Sequence, residues 1–173
     1  MSLNNIDTKQ VIEYKKEIEK NPADARFTAK IEGDWLFTEG GPQFRSVVKV
    51  KDGSYTMEAC HPNFAGPCSR PGPMAFGLFW YAACFSSTFV TEASMRNIRL
   101  THVKTRVEAD LDYTAQFDLG KQPLVGAVRV FMDVGGDISE SQIEELREYA
   151  VTHCMGMYSV QHALPLKAEV KKV

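Results

Sequence analysis

Residues 73–85, PMAFGLFWYAACF, decide how the rest of the chain has to be arranged. They carry no charge, and neither does any residue across the wider span 71–91. Pro73 suits the first turn of a helix, where its missing N–H has no partner to lose. From there an apolar helix is expected to run to about Arg96. The span is long enough to cross a bilayer. Ser86, Ser87 and Thr88 interrupt its apolar character, however, and the flanking segments read as ordinary strands. The segment is therefore read as a helix buried at the centre of a soluble protein. A helix apolar on every side needs cover on every side. One sheet covers only one face, so a second subunit is expected over the other.

Working outward, residues 7–20 place Val11, Tyr14 and Ile18 at helical spacing among charges, a short surface helix ended near Asn21-Pro22. Phe27, Ala29, Ile31, Trp35 and Phe37 alternate with Lys30, Glu32 and Asp34, which predicts a half-buried strand. Residues 45–50 and 54–59 form an expected hairpin closed by Lys51-Asp52-Gly53. Residues 61–72, HPNFAGPCSRPG, read as a loop. Beyond the apolar helix, residues 103–117 alternate from Val103 to Phe117, a long antiparallel strand with one wet face and a partner at 124–134. Ser139 with Gln142 resembles a capping box and opens a helix to about Cys154, where Gly156 is expected to stop it. A last strand is expected at 164–170. Strands and helices do not alternate regularly, so the fold class is α+β with mainly antiparallel sheets around the central helix.

The chain has 173 residues, enough for a single domain with its own core and no need of disulfides or metal. Twenty Lys+Arg against twenty-two Asp+Glu give a net charge of −2, which argues against nucleic-acid binding. The polar N-terminus lacks the apolar core of a secretory leader, so the expected compartment is the cytoplasm. Cys60, Cys68, Cys84 and Cys154 are then expected to be free thiols, metal ligands or redox groups and not structural bridges.

Cys84 falls in the middle of the apolar helix, where burial alone raises a thiol's pKa and leaves it inert. To react it needs a cation from another segment; Arg26, Arg45 and Arg70 are the candidates in the N-terminal half. Cys154 ends the second helix beside a Met-Gly-Met turn and is expected to be mobile. Cys60, His61 and Cys68 match no zinc spacing and offer only three local ligands, so they read as a strand end and a loop, with no metal site. His153 diverges from Cys154 on a helix and reads as a surface histidine. The stripe Phe76, Phe79, Trp80 and Phe85 is core, or else the floor of an apolar pocket.

The helix PMAFGLFWYAACF with Cys84, followed seventy residues later by Cys154 before a terminal strand, resembles the OsmC/Ohr family of thiol-dependent peroxidases (osmotically inducible protein C and organic hydroperoxide resistance proteins). Pro73, Ala82, Ala83, Cys84 and Phe85 carry the helix motif. The resemblance covers about residues 25–172 and leaves residues 1–22 as an additional N-terminal helix on a single OsmC-like domain. It implies an interlocked homodimer with the central helices at its core. It also implies a cycle in which Cys84 attacks an organic hydroperoxide and becomes a sulfenic acid, Cys154 condenses with it to a disulfide, and an external dithiol, such as a lipoyl protein, reopens the bridge. No bound cofactor, nucleic acid or membrane enters this scheme.

The family holds its activating arginine with a glutamate nine or ten residues before the first cysteine. Here those positions are Ala75 and Met74. The arginine itself usually follows a Gly-Gly turn directly; here Gly40-Gly41 is followed by Pro42, and Arg45 comes three residues late. Arg45 is the residue assigned to the role, with Arg70 as an alternative cation and Glu58 or Glu39 as replacement carboxylates. Met155 stands where a proline usually follows the second cysteine. Two functions stay open: the two-cysteine peroxidase, and a catalytically divergent dimer that binds a small molecule or senses thiol redox state.

Overall fold

The computed structural model describes residues 2–61, 63–66 and 68–172, so Pro62 and Pro67 of the expected loop lie outside the described residues. The chain gathers into two compact units. One is Gln10–Phe79; the other joins the residues up to Lys9 with those from Trp80 onward.

In the unit Gln10–Phe79, helix α1 (Thr8–Lys20) buries no residue, as its charge-rich sequence dictates. Three antiparallel strands follow in the order β3 (Gly33–Trp35), β4 (Phe44–Val50) and β5 (Gly53–Ala59). Lys51 and Asp52 turn the β4–β5 hairpin, whose register sets Arg45 opposite Glu58. The strand expected across 27–37 is shorter than its alternation promised: only Gly33–Trp35 joins the ladder. A Cβ at Gly33 would lie 2.6 Å from the Arg45 carbonyl oxygen, so the two backbones meet closely where the side chain is missing. Residues 27–32 lie outside any strand, leaving Phe27 and Ile31 exposed.

In the other unit, a two-residue hairpin joins β1 (Ser2–Leu3) to β2 (Ile6–Asp7), an element with no alternation long enough to predict. Its turn residues Asn4 and Asn5 have φ of 53° and 63°, the left-handed region that asparagine tolerates best after glycine. Helix α2 (Pro73–Met95) starts at Pro73 as expected. It ends with Asn97 at φ 58° and Ile98 N–H donating to the Ala93 carbonyl at 2.9 Å, a left-handed cap. Strands β6 (Leu100–Leu111) and β7 (Val125–Gly136) form a long antiparallel hairpin. β6 stops before the alternation does, because Asp112 Oδ1 accepts from both the backbone N–H and the hydroxyl of Thr114 and bends residues 112–119 into turns. The capping box is present: Gln142 N–H donates to Ser139 Oγ, and Ser139 N–H to Gln142 Oε1.

Helix α3 (Glu140–His153) does not end the helical region. Cys154 separates it from α4 (Met155–Gln161), and Gly156, expected as a stop, lies inside α4. The expected strand at 164–170 is absent. Residues 162–172 form no regular element, and no strand of this chain pairs with them, so Leu166 and Val170 stand 92% and 98% exposed. Helix α2 is long and apolar enough to cross a membrane by length and composition. Its C-terminal half instead packs as the core of a folded unit, Phe85, Phe89 and Ala93 meeting Leu146, Ala150 and Met157. Its earlier half is not covered: Phe79 is 70% exposed. Within one chain the helix is thus covered over part of its length only.

The N-terminal hairpin is tied into this core. Asn4 Nδ2 donates to Ser94 Oγ (3.0 Å) and to the Ile98 carbonyl (2.8 Å), and Asn4 Oδ1 accepts from Leu100 N–H (2.9 Å). One amide thus clamps the end of α2 to the start of β6. Asn4→Ala leaves those part-buried groups without partners and should destabilise the fold by about 1–3 kcal/mol. Calorimetry should read this as a fall in Tm of roughly 2–4 °C per kcal/mol.

Candidate active site

The two cysteines singled out by spacing are brought together. Cys84, on α2, and Cys154, between α3 and α4, are both free thiols, and their side chains are neighbours. A Cβ built on Gly156 would lie 3.5 Å from Cys84 Cβ and 3.6 Å from Cys154 Sγ, so the three residues close around one point. Of the two, Cys154 is the more deeply buried. Cys154 is 1% exposed, and its backbone serves both helices: its N–H donates to the Ala150 carbonyl, and its carbonyl accepts from Tyr158 N–H. Cys84 is only partly buried.

Burial pushes the Cys84 thiol up, and the neighbouring Cys154 thiol adds to this; backbone N–H groups of Gly156 and Met155 pull it part of the way back. Within this unit the thiol is therefore held protonated more firmly than an ordinary cysteine. His153 stacks on Tyr149, ring centroids 4.0 Å apart, with Nδ1 3.0 Å from the Tyr149 carbonyl and 2.8 Å from Thr152 Oγ1. Beside Cys154 a cavity of about 390 Å³ is lined by Trp80, Met155, Tyr158 and Leu164 together with Thr152, His153 and Ser159. The aromatic stripe of α2 is thus divided. Trp80 lines this cavity, Phe85 is core, Phe79 is exposed, and Phe76 lines a second cavity in the other unit.

That second cavity, about 370 Å³ within Gln10–Phe79, is walled by Ile31, Trp35, Phe44, Met57, Pro73 and Phe76, with Glu58 the one charged residue on its wall. Glu58 holds two of the three candidate arginines. Arg45 Nε donates to Glu58 Oε1 at 3.0 Å with Nη2 at 2.8 Å, and Arg70 Nε donates to Oε2 at 2.9 Å. These guanidinium contacts, Arg70 first, hold the Glu58 carboxyl below its usual range. Of the two replacement carboxylates, Glu58 is therefore the arginine partner. Arg26 follows a 3-10 turn at Pro22–Ala25 and is exposed. The reading of Cys60 and Cys68 as unlinked thiols is corrected: they form a disulfide. Cys60 directly follows β5, and its N–H donates to the Pro71 carbonyl, which holds the two ends of this stretch together. The proline-rich spacing could have signalled such a closed loop; the inferred reducing compartment argued against it.

Residues 66–169 match the family model described as OsmC-like protein. A search of curated proteins finds no match. Among solved structures, an OsmC-like protein from Mycoplasma pneumoniae aligns with a TM-score of 0.57 at 16% identity, covering 78% of this chain and 88% of that one. A Legionella pneumophila protein described as an organic hydroperoxide resistance protein OsmC and predicted redox protein aligns at 0.56 and 17%, covering 79% and 92%. The organic hydroperoxide resistance protein OhrB of Bacillus subtilis aligns at 0.50 and 24%, covering 77% and 90%. At these identities the structural likeness speaks for the fold, and the family model, matching well over half of the chain, makes this protein a member of the OsmC-like family.

Proposed function

We propose that this protein is a thiol-dependent peroxidase that reduces organic hydroperoxides with Cys84 as attacking and Cys154 as resolving thiol. The observation that carries the reading is the contact between these two free thiols. Cys84 thiolate attacks the terminal peroxide oxygen, the O–O bond breaks, and the alcohol leaves with a proton. The Cys154 thiol then attacks the sulfenic sulfur, water leaves, and a disulfide joins the pair until an external dithiol reduces it. The apolar walls given by Trp80, Met155, Tyr158 and Leu164 favour an alkyl or aryl peroxide over hydrogen peroxide, because only the former has apolar surface to bury.

Burial and Cys154 work against a thiolate at Cys84, so a cation has to offset them. Arg45 takes this role, oriented by Glu58 in place of the carboxylate missing at Met74 and Ala75. The working species is a cytoplasmic homodimer. Exposed apolar side chains on α2 and on unpaired segments, such as Phe27, Phe79, Leu166 and Val170, support a second copy as their cover. A divergent dimer that senses thiol redox state without turnover is the second reading, favoured by the upward shift of Cys84.

One equivalent of cumene hydroperoxide should form a Cys84–Cys154 bridge faster than hydrogen peroxide does, read by non-reducing peptide mapping. Sustained consumption with a lipoyl dithiol separates the peroxidase from the sensor, which would oxidise once and stop. Unmodified Cys84 in folded protein would refute both readings.

Gly156→Ala puts a methyl 3.3 Å from the Tyr81 ring and against both cysteines. It should slow bridge formation on the order of tenfold, since small displacements of reacting groups are costly.

Because the reactive form is the thiolate and burial shifts the Cys84 thiol up, the oxidation rate should still be climbing as pH rises above the ordinary cysteine value of about 8.5, and should be low below it. Arg45→Met should move that profile to higher pH. Glu58→Gln should do the same more weakly by releasing the guanidinium. The Glu58 pairing itself, with its folded pKa depressed, is complete above the ordinary glutamate value of about 4.3 and is lost only as pH falls through the lower folded one.

A further inference from the structure

The Cys60–Cys68 disulfide is used by none of the chemistry above. It closes a short loop, its partners eight residues apart in sequence. Glu58 lies two residues before Cys60 and Arg70 two residues after Cys68. The Glu58–Arg70 ion pair and the disulfide are therefore consecutive cross-links between the same two stretches of chain, with Cys60 N–H to the Pro71 carbonyl as a third. Cys60 is 2% exposed, whereas Cys68 is only partly buried, which leaves one sulfur open to attack.

We propose that Cys60–Cys68 is a second, reversible thiol–disulfide couple, a redox clamp that keeps Arg70 on Glu58 while oxidised and releases it when reduced. A dithiol supplies the reducing electrons. One of its thiolates attacks the Cys68 sulfur, the S–S bond breaks, and Cys60 leaves as thiolate and takes up a proton. The second thiol of the reductant then displaces Cys68 and closes the reductant as its own disulfide. In the other direction, two cysteine thiols and one hydroperoxide give the disulfide, one alcohol and one water. With the bridge open, the ends of this stretch are still tied by the backbone bond at Pro71, the Arg70 ion pair and the His61 N–H bond to Gln43 Oε1. Of these, the ion pair is exposed and weak alone. Glu58 then keeps Arg45 as its remaining partner, so the charge at the wall of the 370 Å³ cavity follows the redox state of the loop.

The test uses the full-length protein poised in mixtures of reduced and oxidised dithiothreitol, with isotope-coded alkylation and peptide mapping of each cysteine. Cys60 and Cys68 should pass together from bridged to alkylated while the protein stays folded, and two equivalents of cumene hydroperoxide, one for each cysteine pair, should restore the bridge. Amide exchange across residues 61–72 should become faster by on the order of tenfold on reduction. Cys68→Ser should reproduce that faster exchange under oxidising conditions. A bridge that opens only when the protein unfolds would make it a fixed staple and overturn the proposal; so would thiols that alkylate even under oxidising poise, or exchange that ignores reduction. The same maps report Cys84 and Cys154 separately, so failure of the peroxidase reading is distinguishable from failure of this one.

Discussion

A helix of 23 residues with apolar side chains on every face has to be removed from water on every face, and one chain of this size manages it only in part. The C-terminal half of α2 is enclosed by α3, α4 and the β6–β7 hairpin, with Phe89 and Ala93 at the centre. The earlier half is not, and Phe79 and Trp80 remain open. Burying a large apolar side chain is worth about 1.5–3 kcal/mol. Phe27, Phe37, Phe79, Leu164, Leu166 and Val170 together therefore represent on the order of 10 kcal/mol, comparable with the whole stability of a domain. A second copy in the proposed assembly would supply stabilisation of that order, and α2 would then be an inner element of the dimer.

The same helix fixes the chemistry. Cys84 sits where the cover changes from complete to incomplete, partly buried and able to meet a small reactant. Cys154 is held from the opposite direction by a device that costs the chain little: one residue whose N–H finishes α3 and whose carbonyl starts the bonding of α4. A thiol fixed in this way needs no loop closure to reach its partner. The consequence is electrostatic. Burial and the neighbouring Cys154 both hinder ionisation of Cys84, and the backbone N–H groups of Met155 and Gly156 compensate only in part. Positioning has been optimised at the expense of thiolate formation, which is why the reading requires a cation.

Much of this was legible in the residues. The β6–β7 alternation, the Lys51-Asp52-Gly53 turn, the Ser139–Gln142 box and the proline start of α2 are local signals, and local hydrogen bonds answer them. What failed depended on partners far away in sequence or absent from it. Residues 164–170 alternate like a strand, but no strand of this chain lies beside them. Gly156 has the propensity of a helix stop, yet it is kept inside α4 because a side chain there would press on Tyr81, Cys84 and Cys154. The Asn4 clamp spans more than ninety residues and leaves no periodic trace. Cys60 and Cys68 pair across only eight residues, a closure that an expectation based on compartment argued against.

In the proposed site, the carboxylate missing from the start of α2 is replaced from another element. At Met74 and Ala75 no side chain can orient an arginine. On β5, Glu58 faces Arg45 directly across the β4 ladder, a position set by strand register and not by helix phase. Register is a strong constraint, since a shift of one residue would turn Arg45 to the opposite face. With Arg70 on its second oxygen, Glu58 carries two cations on one negative charge. The cluster keeps a surplus of positive charge, which an isolated Glu–Arg pair would not.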